Sequence, residues 1–125
     1  MTLLNRDEGR HGEDIACEYL KTQGFKIIDR NFRIRGGEID IIAIDQRDPS
    51  GSILVFIEVK TRKSSAFGSP LEAISYWKIK ALMKAAEFYK MTHPHLPDSM
   101  RLDAVAIILD ISNNVISIEL VKNIA

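Results

Sequence analysis

Asp40, Glu58 and Lys60 are the residues on which chemistry could rest. Asp40 stands in the run Glu38-Ile39-Asp40-Ile41-Ile42, and Glu58 in Phe56-Ile57-Glu58-Val59-Lys60; both runs have the apolar, β-branched flanks of strands. Successive strand side chains point to opposite faces. Glu38 and Asp40 should therefore share one face with Ile39 and Ile41 on the other, and Glu58 and Lys60 should share a face opposite Ile57 and Val59. Carboxylates are unfavourable in strands, and two buried side by side repel unless a cation neutralises them. On neighbouring strands, Asp40 and Glu58 would be a natural pair of oxygen ligands for Mg²⁺ or Mn²⁺. Lys60 would then orient or polarise an attacking water, or stabilise charge on a phosphate. The competing reading is a cross-strand ion pair, Asp40 or Glu38 with Lys60, on a solvated face. Glu38 is the least defined member, because it could equally pair with Arg33 or Arg35.

Glu13 is a further acidic candidate. With Ala16, Cys17 and Leu20 it follows i, i+3, i+4, i+7 spacing, widened by Ile15 and Tyr19, so it should lie on the face of a helix that meets the sheet. There it either snorkels to water or extends a metal shell formed by Asp40 and Glu58. Gly9 and Gly12 would let that helix approach the sheet closely, and Gly24 is a natural stop.

The elements that must position these groups follow from turn chemistry and periodicity. A strand from Phe25 continues through a bend to Ile34, and Gly36-Gly37 punctuates it. Glu38 to Ile44 forms a second strand. The cluster Asp48-Pro49-Ser50-Gly51 returns Ile53 to Lys60 antiparallel as a third. Ser69-Pro70-Leu71-Glu72 has the cap, first-turn proline and capping box of a helix start. Helical spacing then runs through Ile74, Trp77, Leu82, Ala85, Phe88 and Tyr89, with a break expected near Ser75. Leu102 to Ile111 is a buried strand, and Asn113-Asn114 turns it into a last strand, Val115 to Val121. The order α-β-β-β-α-β-β predicts an α/β fold, a mixed sheet with helices on its faces.

The chain has 125 residues, one domain's worth, spanning 1–125. At 46% hydrophobic and 27% charged it falls outside the disordered, collagenous and coiled-coil classes. The longest purely apolar run, Ala104 to Leu109, is too short for a membrane span, and no secretory signal follows Met1. A single cysteine, Cys17, excludes an intrachain disulfide and a multi-cysteine zinc site, and suits a reducing cytoplasm. No P-loop, dinucleotide fingerprint or nucleophile elbow is present, so NTPase, dehydrogenase and esterase readings lapse. Net charge is zero but unevenly placed. Residues 26–35 carry four basic side chains against one acidic, 36–57 one against four, and 58–84 six against two. Basic segments thus flank an acidic centre, a layout suited to a polyanion held near a cation site, or to ordinary solvated charge. The phosphate-contact candidates are Arg33 and Arg35, then Arg62 and Lys63, then Lys80 with its helical neighbours Lys78 and Lys84. Arg101 and Asp103 share a strand face and could be an ion pair that supports the site.

Taken in order, Gly12-Glu13, Gly37-Glu38-Ile39-Asp40-Ile41-Ile42, Phe56-Ile57-Glu58-Val59-Lys60-Thr61-Arg62, Gly68-Ser69-Pro70 and Arg101-Leu102-Asp103 resemble the YraN family of small bacterial proteins. The resemblance runs from about Gly9 to Leu109. That family is similar to archaeal Holliday-junction resolvases and to nucleases of the PD-(D/E)xK type. The resemblance implies a restriction-endonuclease-like α/β/α core, with Asp40, Glu58 and Lys60 at the catalytic positions and Glu13 at that of a helical metal-site glutamate. It also implies a Mg²⁺- or Mn²⁺-dependent endonuclease acting on DNA, branched or otherwise structured, and by analogy with the resolvases a homodimer. The rival is a nucleic-acid-binding module on the same fold without catalysis.

Overall fold

A computed structural model describes residues 3–64 and 74–125. The first helix, α1 (Leu3–Thr22), turns its apolar stripe of Ala16, Cys17 and Leu20 inward and stops at Gly24, whose φ of +89° suits a residue without a Cβ. Three antiparallel strands follow as a meander: β1 (Phe25–Ile34), β2 (Gly37–Asp45) and β3 (Ile53–Lys63). The expected bend in β1 is present, with a register shift between Ile27 and Asp29 and a left-handed Asn31 at φ +54°. A second helix, α2 (Tyr76–Thr92), carries the chain over the sheet to β4 (Met100–Leu109), which runs parallel to β3. A turn through left-handed Asn113 leads to β5 (Val115–Val121), antiparallel to β4. Spatial order equals chain order, β1-β2-β3-β4-β5.

The helices cover opposite faces, which makes three layers, α/β/α. On one face α1 packs against Ile41, Ala43, Val55, Ile57, Val105 and Ile107. On the other, Leu82, Ala85, Ala86 and Tyr89 of α2 pack against Ile39, Ile42, Leu54, Phe56 and Leu102. Because both faces are covered, β3 and β4 read as near-continuous apolar runs. This is an α/β fold compatible with a nuclease-like core. The helix start proposed at Ser69-Pro70-Leu71-Glu72 lies outside the described residues. Among the described residues the helix begins at Tyr76: Ser75 is the N-cap of α2, and its side chain accepts from the Lys78 N–H at 3.1 Å.

One expectation needs correcting. Strict alternation puts Ile39 and Ile41 on one face, yet Ile39 belongs to the α2 side and Ile41 to the α1 side. The turnover falls at Asp40. The β2–β3 ladder ends at Ile41–Ile57, and beyond it the Asp40 carboxylate takes over the acceptor's part, receiving the Val59 N–H at 2.8 Å. A side chain drawn across to the neighbouring strand no longer follows the pleat.

Candidate functional site

Where the ladder ends, the strands leave room for side chains. Glu58 follows Leu54 and Phe56 onto the α2 side, and Lys60 lies beyond it, with its Nζ 3.8 Å from Glu58 Oε1. Lys78 enters from the first turn of α2, and its Nζ stands 3.6 Å from Glu58 Oε2. Neither ammonium satisfies the second oxygen. Among the described residues, Glu58 Oε2 is the one buried side-chain polar atom without a hydrogen bond. Burial, and after it the charge of Asp40, pushes the Glu58 carboxyl up to about 7, against the pull of Lys78 and Lys60. Asp40 is raised as well, first by burial and also by Glu38, although the Val59 N–H and both lysines favour its charged form.

Glu13 is placed where its stripe predicted, at the face of α1 that meets the sheet. It approaches Arg30 at 3.6 Å, with Asn31 also nearby, both presented by the bend of β1, and burial followed by the Asp40 charge raises its pKa. Among the described residues no three His, Cys, Asp or Glu side chains gather closely enough to ligate one ion. Asp40 stands near enough to both Glu58 and Glu13 for its charge to raise the pKa of each. The alternative left open for Glu38 resolves toward Arg33, whose Nε lies 3.6 Å from Glu38 Oε2.

The basic candidates are dispersed. Arg33 and Arg35 lie exposed at the β1–β2 turn, and Arg62 and Lys63 continue β3 beside Ile108 and Leu109 of β4. Lys80 points away from the carboxylates, its Nζ 5.3 Å from the centroid of the Tyr76 ring. Lys78 is the lysine that reaches the site. A signal for it exists in the sequence, since Lys78, Leu82, Ala85 and Tyr89 follow i, i+4, i+7, i+11 spacing, which puts a cation in the apolar stripe. Arg30 and Asn31 had no such signal, because only the bend in β1 turns them toward Glu13.

Arg101 and Asp103 do pair, through two 2.8 Å bonds, but not beside Glu58. Arg101 also bonds Asp45 at 2.9 Å and lies against the Phe25 ring, on the α1 side and five residues along β2 from Asp40. Burial alone would push Asp45 up, but Arg101, the Arg47 N–H and Lys122 carry it below its usual range. This cluster joins β2 to β4, and through the Asn123 N–H on Asp103 it holds the chain after β5. It is a structural staple.

A three-layer α/β/α protein with two carboxylates and two lysines at the rim of a mixed sheet is the class this fold and site define. Residues 12–107 match the model of the family described as Uncharacterised protein family UPF0102. A UPF0102 protein of Clostridium botulinum (strain Loch Maree / Type A3) is 43% identical over 124 residues, covering 98% of this chain and 97% of the relative. One of Caldicellulosiruptor saccharolyticus is 41% identical over 118 residues, covering 94% and 96%. The chain belongs to UPF0102, the YraN family, as its motifs suggested.

Proposed function

We propose that this protein is a divalent-metal-dependent phosphodiester hydrolase acting on DNA, with Asp40 and Glu58 as ligands of Mg²⁺ or Mn²⁺. The observation that carries this reading is Glu58 Oε2, a buried carboxylate oxygen with no hydrogen-bond donor among the described residues, beside a second half-buried carboxylate. Leaving such an oxygen unsatisfied costs about 1–3 kcal/mol or more, a cost that a cation would offset. Two carboxylates with waters and substrate phosphate completing the shell are a normal set for Mg²⁺, so the residues fit the ion without a third acidic ligand. When bound, the ion supplies Lewis acidity toward a phosphate oxygen and a water of lowered pKa.

The chain's own groups do the remaining work. The Val59 N–H holds Asp40 Oδ2 and so limits rotation of the carboxylate. Lys60, partly exposed next to Glu58, holds a phosphate oxygen or orients the attacking water, and neutralises charge as the phosphorus adds a fifth oxygen. Lys78 balances Glu58 from the helix side. A second reading, a DNA-binding module without catalysis, draws on one feature: each Glu58 oxygen already has an ammonium within 4 Å.

The test is to incubate the protein with labelled duplex, flapped, branched and single-stranded DNA, and with RNA, in Mg²⁺, Mn²⁺ or EDTA. DNA cleavage is expected in either metal and none in EDTA. The Lys60→Ala variant should lose cleavage while still binding Mn²⁺, since an ammonium is no metal ligand. Equal cleavage by this variant would assign the activity to another site or a contaminant. Tight DNA binding with no cleavage in either metal would favour the binding module.

A further inference from the structure

We propose that Tyr76 and Trp77 form a stacking platform for an unpaired nucleobase, so that the DNA taken at this site carries a single-stranded segment: a flap, overhang, gap or junction. The inference rests on the reading above that this rim of the sheet meets DNA. Trp77 is the protein's one tryptophan, and 78% of it is exposed; Tyr76, beside it, is 63% exposed. Tryptophan is normally well buried, and these rings lie off the stripe of Leu82, Ala85 and Tyr89 with which α2 faces the sheet.

The pair is held rather than loose. The ring centroids are 5.3 Å apart at 75°, an edge-to-face contact, and Lys80 Nζ lies 5.3 Å from the Tyr76 centroid. Ser75 caps the helix turn that carries both. The next residue, Lys78, reaches Glu58 Oε2, so the platform stands on the same helix turn as the lysine that meets the carboxylates. Lys80 and Lys84, one and two turns beyond Tyr76 on the outer face, supply the positive charge that phosphates flanking a stacked base require. Every base offers a π-face to an indole, but in continuous duplex those faces are covered by neighbouring pairs. An aromatic pair interleaved with lysines therefore selects bases already out of the stack.

Because Trp77 is the sole indole, its fluorescence reports on the platform. In EDTA, where the proposed hydrolysis does not run, the protein would be titrated with a thymine strand, an abasic strand of equal length, a blunt duplex and a flapped duplex. Quenching is expected with the thymine strand and the flapped duplex, and little with the abasic strand. By anisotropy of labelled DNA, Trp77→Ala should weaken thymine-strand binding about 5- to 150-fold, the equivalent of one stacked base. Blunt-duplex binding should hold, and Trp77→Phe should recover much of the loss. Equal quenching by the abasic strand, or equal affinities of wild type and Trp77→Ala for every DNA, would overturn the inference. So would absence of quenching by any probe, which would leave the patch to a protein partner. If quenching follows expectation but wild type cuts nothing in Mn²⁺, the hydrolase reading fails alone. If wild type and Trp77→Ala cut blunt and flapped duplex equally, the stacking inference fails alone.

Discussion

Glu58 sits between two ammonium groups and still has a raised pKa, because burial outweighs their attraction. Burial disfavours the carboxylate most, the Asp40 charge adds to that, and Lys78 and Lys60 recover only part. The lysines are therefore too distant, at 3.6 and 3.8 Å, to serve as full hydrogen-bond partners, yet close enough to repel a metal ion. Lys78→Met keeps the apolar stem and removes the ammonium. Well above pH 7, where Glu58 is ionised, this variant should bind Mn²⁺ several-fold more tightly than wild type. Well below it, the advantage should vanish, because losing Lys78 also pushes the carboxyl further up. Calorimetric titration in the two pH ranges checks this; weaker binding in both would show that Lys78 supports the ion rather than competing with it.

At the scale of elements, the distance between α1 and the sheet governs where Glu13 stands relative to Asp40. Gly12 sets that distance, since a Cβ there would collide with Thr61 Oγ1 of β3. At the other helix, a Cβ on Gly37 of β2 would lie 2.6 Å from the Ala81 carbonyl oxygen of α2, so the two layers are each seated on a glycine. In an isolated helix, Gly12→Ala would add stability of up to about 1 kcal/mol. In the folded protein it must push α1 outward, and a net loss of about 1–3 kcal/mol is expected. Thr61→Ala removes the colliding oxygen, so the double variant should regain most of that loss. Urea denaturation of the wild type, both single variants and the double variant measures the coupling; additive effects would show that the helix does not rest on Thr61.

For the whole molecule, opposed titrations shape stability. Glu58 binds its proton more tightly in the folded state, about 7 against 4.5, and Asp40 and Glu13 are shifted in the same direction. Stability of the metal-free protein should therefore fall as pH rises from about 4.5 to about 7 and level off above, with Glu58 alone contributing on the order of 3 kcal/mol. Asp45 acts oppositely. Its depressed pKa stabilises the fold above its unfolded value of 3.8, and that contribution disappears as acid reaches the lowered folded value. Tm in EDTA should thus peak in mild acid and drop by roughly 10 °C toward neutrality. Millimolar Mn²⁺ should flatten the drop, adding about 2.7 kcal/mol at a hundredfold excess over its Kd. Asp40→Asn keeps an acceptor for the Val59 N–H and relieves Glu58, so its Tm should fall less toward neutrality and respond little to Mn²⁺. A Tm that rises from mild acid to neutral pH would contradict the buried-carboxylate account.

What could be read from the chain alone were the features set by neighbours in sequence. The stripe of Glu13, Ala16, Cys17 and Leu20, the stop at Gly24, the bend in β1 and the turns at Gly36 and Asn113 each depend on local periodicity or on a residue's own φ preference. The nearness of Asp40 to Glu58 was legible for the same reason, as antiparallel register follows from where a turn falls, although the ladder itself stops one pair short, at Ile41–Ile57. The tertiary structure alone decided that faces turn over at Asp40, because this depends on a side chain accepting the N–H of a residue nineteen positions away. It also brought Lys78 to Glu58, turned Arg30 and Asn31 to Glu13, and joined Arg101 to Asp45 across 56 residues, away from the site it was expected to support. A side chain's face can be read from spacing, but its partner depends on where another element's end is placed, and local pattern does not encode that distance.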